Sequence, residues 1–206
     1  MSSSTEGLKI DIRKLSLINE MAKVGTNGVA KNMSKLTGED ARMQVTKTNF
    51  VDVADIPNQI EGGKRVGVRI RLLEAPHGHL LILFPEESAK KITYLMLSDM
   101  VDDVSSVSGD MARSAVEELG MIMGNGFITG WADVLGKTID TATPQLVYAP
   151  LVEVVERTAD LGGQDLALVF DSSLDVPRFD IEAELYAFPD LEEFVTMVNN
   201  IEATPA

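Results

Sequence analysis

The sequence predicts an α+β fold: a duplicated unit with pseudo-two-fold symmetry, its strands joined in one continuous antiparallel sheet flanked by two long helices. Three observations carry that prediction. Residues 15–53 reappear as residues 113–151 at one offset, so that Ser16 maps onto Ser114, Glu20 onto Glu118 (118 − 20 = 98), Asn27-Gly28 onto Asn125-Gly126, Gly38 onto Gly136 and Phe50 onto Tyr148. A later echo, Phe84-Pro85 against Phe188-Pro189, falls at offset 104 (188 − 84), as a small length change in a loop would produce. Hydrophobic periodicity also changes in the same order in both halves, from a long helical stretch through short strands back to helix. At 206 residues, 45% of them hydrophobic, the chain can bury one substantial core, which implies a single domain over 1–206 with repeats at about 8–97 and 110–200.

The elements follow in order. The Ser-rich residues 1–7 and the last four, 203–206, are expected to fray. Ile12, Leu15, Ile18, Met21, Val29 and Met33 recur near helical spacing, so residues 11–36 read as one helix, loosened around Gly25 and Gly28 and stopped by Gly38. Residues 43–54 and 65–73 read as strands, the second alternating Val66, Val68, Ile70 and Leu72 with Arg65, Arg69 and Arg71. Ala75-Pro76-His77-Gly78 supplies a turn into Leu80–Phe84, and Pro85–Leu97 is a helix opened by proline, whose missing donor costs nothing there. An acidic connector, 98–103, is expected to be partly helical. The second half then gives a helix from Asp110 to about Leu135, strands at Thr143–Val155, Leu166–Asp171 and Ile181–Ala187, and a closing helix Pro189–Val198.

Composition bounds the function. The net charge of −14 repels nucleic acid and anionic lipid, so other proteins are the expected partners. Such acidity suits a high-salt cytoplasm, where screening tolerates self-repulsion, and it equally suits an ordinary acidic protein. No stretch approaches the ~20 apolar residues of a membrane span, and the start lacks a signal peptide's basic and apolar regions, so a soluble cytoplasmic protein is expected. There is no cysteine, which removes disulfides and thiolate metal sites. His77 and His79 share one tight turn and read as polar turn residues rather than ligands. Leu161-Gly162-Gly163-Gln164 lacks a phosphate loop's Lys and Ser/Thr and reads as a turn. Trp131, four residues after Phe127, is expected to pack on the sheet, and the methionines mostly to fill core.

Residues four and seven apart share a helix face, so Ser16, Glu20, Lys23 and Asn27 form one polar stripe and Ser114, Glu118, Met121 and Asn125 its twin. Two readings of the stripes stand from periodicity alone: a solvated face, or a duplicated functional surface. The repeated Ser-x3-Glu, with Pro144 following Glu118 by 26 positions (144 − 118), resembles the CheC family of chemotaxis phosphatases. That family's motif runs Asp or Ser, three residues, Glu, two residues, Asn, twenty-two residues and Pro. Ser114, Glu118 and Pro144 match it in the second copy, Ser16 and Glu20 in the first.

The resemblance implies docking on a phosphorylated CheY-type response regulator, with Glu20 or Glu118 anchoring the helix on a receiver lysine. It further implies an Asn carboxamide that positions water for hydrolysis of the aspartyl phosphate, and Mg²⁺ supplied by the receiver, with no cofactor of the chain's own. The motif's Asn position, however, holds Lys23 in the first copy and Met121 in the second. Lys only donates and Met offers no useful hydrogen bond, so neither reproduces an amide. Asn27 and Asn125 lie about one turn further along and could serve if the partner docks ~5–6 Å displaced. Alternatively, each Asn-Gly marks a helix irregularity or a close backbone contact. Three functional readings follow: a working phosphatase, an adaptor that binds a receiver or a CheD-type deamidase without hydrolysis, and a flagellar or archaellar switch-type interaction protein. A monomer is expected, since the duplication already supplies the symmetry a dimer would.

Overall fold

In the computed structural model, which describes residues 14–56, 64–97, 109–162, 165–177 and 179–201, the first apolar helical stretch becomes α1 (Leu15–Thr37). It ends where the sequence places its stop. Gly38 adopts φ 69°, and its N–H donates to Ser34 O at 3.0 Å. Its repeat partner Gly136 adopts φ 61° after α3 (Gly109–Leu135), where the Lys137 N–H donates to Ala132 O at 3.0 Å. A left-handed residue closes a helix this way without the Cβ clash other residues would meet.

Between the long helices lie β1 (Arg42–Asp52), a short 3-10 turn at Val53–Asp55, β2 (Lys64–Leu72), β3 (Gly78–Pro85) and α2 (Glu86–Leu97). After α3 come β4 (Gln145–Pro150), α4 (Leu151–Gly162), β5 (Leu166–Val176), β6 (Phe179–Pro189) and α5 (Leu191–Asn200). Pro85 and Pro189 each end a strand rather than open a helix, and Asp190 caps α5 by accepting the Glu193 N–H at 3.0 Å. The expected strand Thr143–Val155 is corrected: it stops at Pro150, and α4 follows at once. Valine-rich residues favour strand locally, but Val154, Val155 and Thr158 share a helix face that is buried against the sheet, and burial decides. Strands β5 and β6 outrun the expected Leu166–Asp171 and Ile181–Ala187. Residues 1–7, Ile12, the connector 98–103, Gly163-Gln164 and 203–206 lie outside the described residues.

The six strands form one antiparallel sheet in the order β1-β5-β6-β3-β2-β4. Exchanging repeats turns β1 into β4, β2 into β5 and β3 into β6, and reproduces this order backwards. The pseudo-two-fold axis therefore passes between β3 and β6. It also passes between the long helices, because Gly28 meets its own counterpart: a Cβ on Gly28 would lie 3.1 Å from Gly126 O. A Cβ on Gly25 would lie 3.0 Å from Phe127 Cα, and one on Gly130 only 2.3 Å from Gly25 N. As α1 runs back from 28 to 25, α3 runs on from 126 to 130, so the helices cross antiparallel, and the glycines permit the contact. The Asn-Gly pairs thus mark a close backbone approach, and α1 runs unbroken through Gly25 and Gly28.

The larger core lies between the sheet and the helix pair, with α2 and α5 on the same side. Phe127, Trp131, Phe170 and Phe194 meet there with ring centroids 4.9 to 6.5 Å apart, which places Trp131 against the sheet as expected. A second, smaller core on the opposite face joins Val154 and Val155 of α4 to Leu81, Leu83, Tyr186 and Phe188. The result is three layers: helices, sheet and one covering helix.

Candidate functional site

Both predicted stripes face outward. Ser16, Glu20, Lys23 and Asn27 of α1 are exposed, and so are Ser114, Glu118, Met121 and Asn125 of α3. The cause is the pattern that buries the rest of each helix: Ile18, Met21, Val29 and Met33 sit under α1, while Ala115, Val116, Leu119 and Met123 sit under α3. Glu20 and Glu118 each lie eight residues before the crossing glycine, on antiparallel helices. They are therefore roughly 24 Å apart along the pair at 1.5 Å per residue. The stripes are two separate surfaces related by the pseudo-two-fold, each with a carboxylate and, seven residues later, an amide.

The two surroundings differ. Ser114 and Glu118 line a groove of about 380 Å³ between α2 and α3 whose walls include Met96, Leu97 and Met111. Beside them Arg113 Nε pairs with Glu117 Oε1 at 3.3 Å, one turn along α3. In the first repeat, the Lys14 side chain donates to the Ile201 carbonyl at the end of α5, and Lys14 is buried. There Asn27 instead borders a polar groove of about 590 Å³ between α1 and the β1–β5 edge, with Arg42, Gln44, Ser173 and Asp175. The groove residues were missed by sequence reasoning because they come from elements distant along the chain. Met96-Leu97, an apolar pair at the end of a helix, was the one visible signal.

The position two residues short of the crossing glycine of Gly28 is held by Thr26, which donates its hydroxyl to Lys23 O at 3.0 Å and leaves the Lys23 side chain on the exposed face. Met121 is 40% exposed, unusual for methionine, and sits midway along the second stripe. Chemically, each surface can pair with a cation through Glu and can donate and accept through Asn, while Met121 and the adjoining groove can take an apolar side chain. His77 and His79 serve elsewhere. The His77 backbone N–H donates to Glu193 Oε2 at 2.9 Å, and its ring Nδ1 lies 2.9 Å from the same oxygen, fastening the turn to α5. Burial, then Arg69 and Arg71, hold the His79 imidazole below its ordinary pKa, and its Nδ1 is buried without a partner. Among the described residues no helix is long and apolar enough to cross a membrane.

Comparison with known proteins identifies a family and structures of the same fold. The profile of the CheC-like family matches residues 111–148, which span most of α3, Pro144 and the start of β4. A Halobacterium salinarum protein provisionally named CheY-P phosphatase CheC1 is 45% identical over 192 residues, 93% of this chain and 98% of the relative. Among solved structures, Thermotoga maritima FliY superposes with TM-score 0.69 at 15% identity, over 91% of this chain and 95% of that one. The FliM middle domain of H. pylori gives 0.59 at 7% identity, over 93% and 100%. CheX from Desulfovibrio desulfuricans gives 0.53 at 14%, over 82% and 99%. At such identities these structures establish a shared fold, while the full-length relative establishes ancestry: this chain belongs to the CheC family of chemotaxis proteins.

Proposed function

We propose that the chain docks on a phosphorylated CheY-type response regulator and promotes hydrolysis of its aspartyl phosphate. The observation that carries this reading is the duplicated exposed constellation, Glu20 with Asn27 and Glu118 with Asn125, on two rigid helices. Each Glu anchors the helix on a receiver lysine. The Asn carboxamide, one turn beyond the family's usual position, accepts from one water proton and donates beyond it, holding the water in line with the phosphorus. Mg²⁺ comes with the receiver and neutralises charge on the phosphoryl oxygens, and no covalent intermediate on this chain is required. The name carried by the Halobacterium salinarum relative supports the partner and the reaction class.

A second reading, an adaptor that binds a receiver or a CheD-type deamidase without hydrolysis, is favoured by Lys23 and Met121 at the amide position. In either case the chain works in the cytoplasm as a monomer. The test adds the chain in catalytic amounts to phosphorylated cognate receiver and follows phosphate release. Acceleration that falls at least tenfold in the paired variants Asn27→Ala and Asn125→Ala supports the phosphatase. Binding without acceleration, lost in Glu20→Ala with Glu118→Ala, leaves the adaptor.

A further inference from the structure

We propose that the outer edge of β4 is a second binding surface, which takes an extended acidic peptide by strand addition. The sheet ends at β4, and no described strand pairs with its outer side. Its register with β2 runs unbroken from Lys64↔Pro150 to Arg69↔Gln145, whereas the opposite edge, β1, is interrupted by a bulge between Val45 and Lys47. A regular edge accepts a further strand, and a bulged one resists it. Against the β4 edge lies a cavity of about 590 Å³, floored by Val147, Ala149 and Val154 and flanked by the guanidinium groups of Arg69 and Arg157. An incoming strand would set alternate side chains into that cavity.

Charge selects the occupant. In a chain of net charge −14, the described residues lining this cavity include two arginines, Arg69 and Arg157, and no carboxylate. Arg69 gives one Nη2 contact to Gln145 Oε1 at 2.6 Å, and Arg157 is paired with Glu153 one turn away, which leaves forked donors on both for carboxylates. On the opposite face of the edge the Tyr148 ring, 55% exposed and with Lys64 5.6 Å from its centroid, offers an apolar surface to the alternate side chains of the added strand. A second copy of the chain does not fit. β4 itself, Gln145–Pro150, carries no carboxylate to set against Arg69 and Arg157. The partner is therefore a strand alternating apolar and acidic residues, and its site is separate from the stripes of α1 and α3.

The probe is a fluorescein-labelled hexapeptide of three Val-Glu repeats, titrated against the full chain by anisotropy, with three Val-Lys repeats as its comparison. Saturable binding in the range of about 10–300 µM is expected, weakened at least tenfold in Arg157→Gln and in Arg69→Gln. Because Arg157 is exposed, its variant is expected to fold. Amide chemical shifts on adding the unlabelled peptide are expected to move at Gln145–Ala149. No binding up to about 1 mM peptide, equal binding of the lysine peptide, unchanged affinity in Arg157→Gln, shifts confined to β1, or dimerisation of the chain through β4 would each overturn the proposal.

Discussion

At residue scale, the stripe is a matter of which atoms point outward. Glu20 and Glu118 were legible as exposed because α-helical period places them opposite Ile18, Met21, Leu119 and Met123, all buried. Met121 was legible as a departure from the family motif, and its exposure gives that departure a consequence. Where Asn27→Ala with Asn125→Ala has removed the displaced amides, restoring one at the family's own position with Met121→Asn is expected to recover receiver dephosphorylation by about tenfold or more, the scale on which one well-placed hydrogen-bonding group acts on a transition state, measured as phosphate release per mole of chain. Glu193 gives a prediction about pH. The His77 backbone N–H, and then its ring, hold this carboxyl below its ordinary pKa against an opposing desolvation effect. A depressed folded pKa contributes stability that is present above the unfolded value and lost as pH falls through the folded one. Glu193→Gln is therefore expected to cost about 0.5–1 kcal/mol at pH 7, allowing for solvent screening of a side chain 38% exposed, with the difference from wild type closing in thermal melts only as pH falls below the ordinary glutamate range.

At the scale of elements, two features decide the arrangement. The first is the crossing of α1 and α3 through Gly25, Gly28, Gly126 and Gly130. Their glycines were visible in the sequence, but nothing local distinguishes a loosened helix from one that lets another helix come close. Only the partner does. Gly130→Ala would place a methyl 2.3 Å from Gly25 N, a backbone atom that cannot rotate away. It is expected to cost about 1–3 kcal/mol and to shift both stripes, read as a lower unfolding midpoint together with weaker receiver binding. Gly38→Ala at the αL helix end, with nothing within 4 Å of its Cβ, is expected to cost less, about 1 kcal/mol, and to leave binding unchanged. The second feature is α4. Its Glu153–Arg157 pair at i,i+4 and its apolar spacing at Val154, Val155 and Thr158 were present in the sequence as helical signals, but the run of valines reads equally as a strand until a sheet face needs covering.

At the scale of the molecule, the repeats are interlocked rather than placed side by side. β1 belongs to the first repeat and pairs with β5 of the second, while β4 pairs with β2 of the first. The central β3–β6 pairing joins them again. Neither half therefore holds a complete sheet, and each long helix depends on the other for its buried stripe. Chains 1–104 and 105–206, produced apart, are expected to show no cooperative unfolding transition, and on mixing to recover it along with receiver binding, as followed by circular dichroism and calorimetry. Independent folding of either fragment would contradict that interdependence.

The duplication, the long helices with their ends, the β2–β3 hairpin and the outward carboxylates were legible along the chain, because each rests on local stereochemistry or on a period a few residues long. Tertiary structure alone decided the exchange of edge strands between repeats, the covering role of α4 and the unlike grooves beside Asn27 and Glu118. Those depend on which apolar faces remain unburied once the sheet has formed, a quantity that no window of the chain contains.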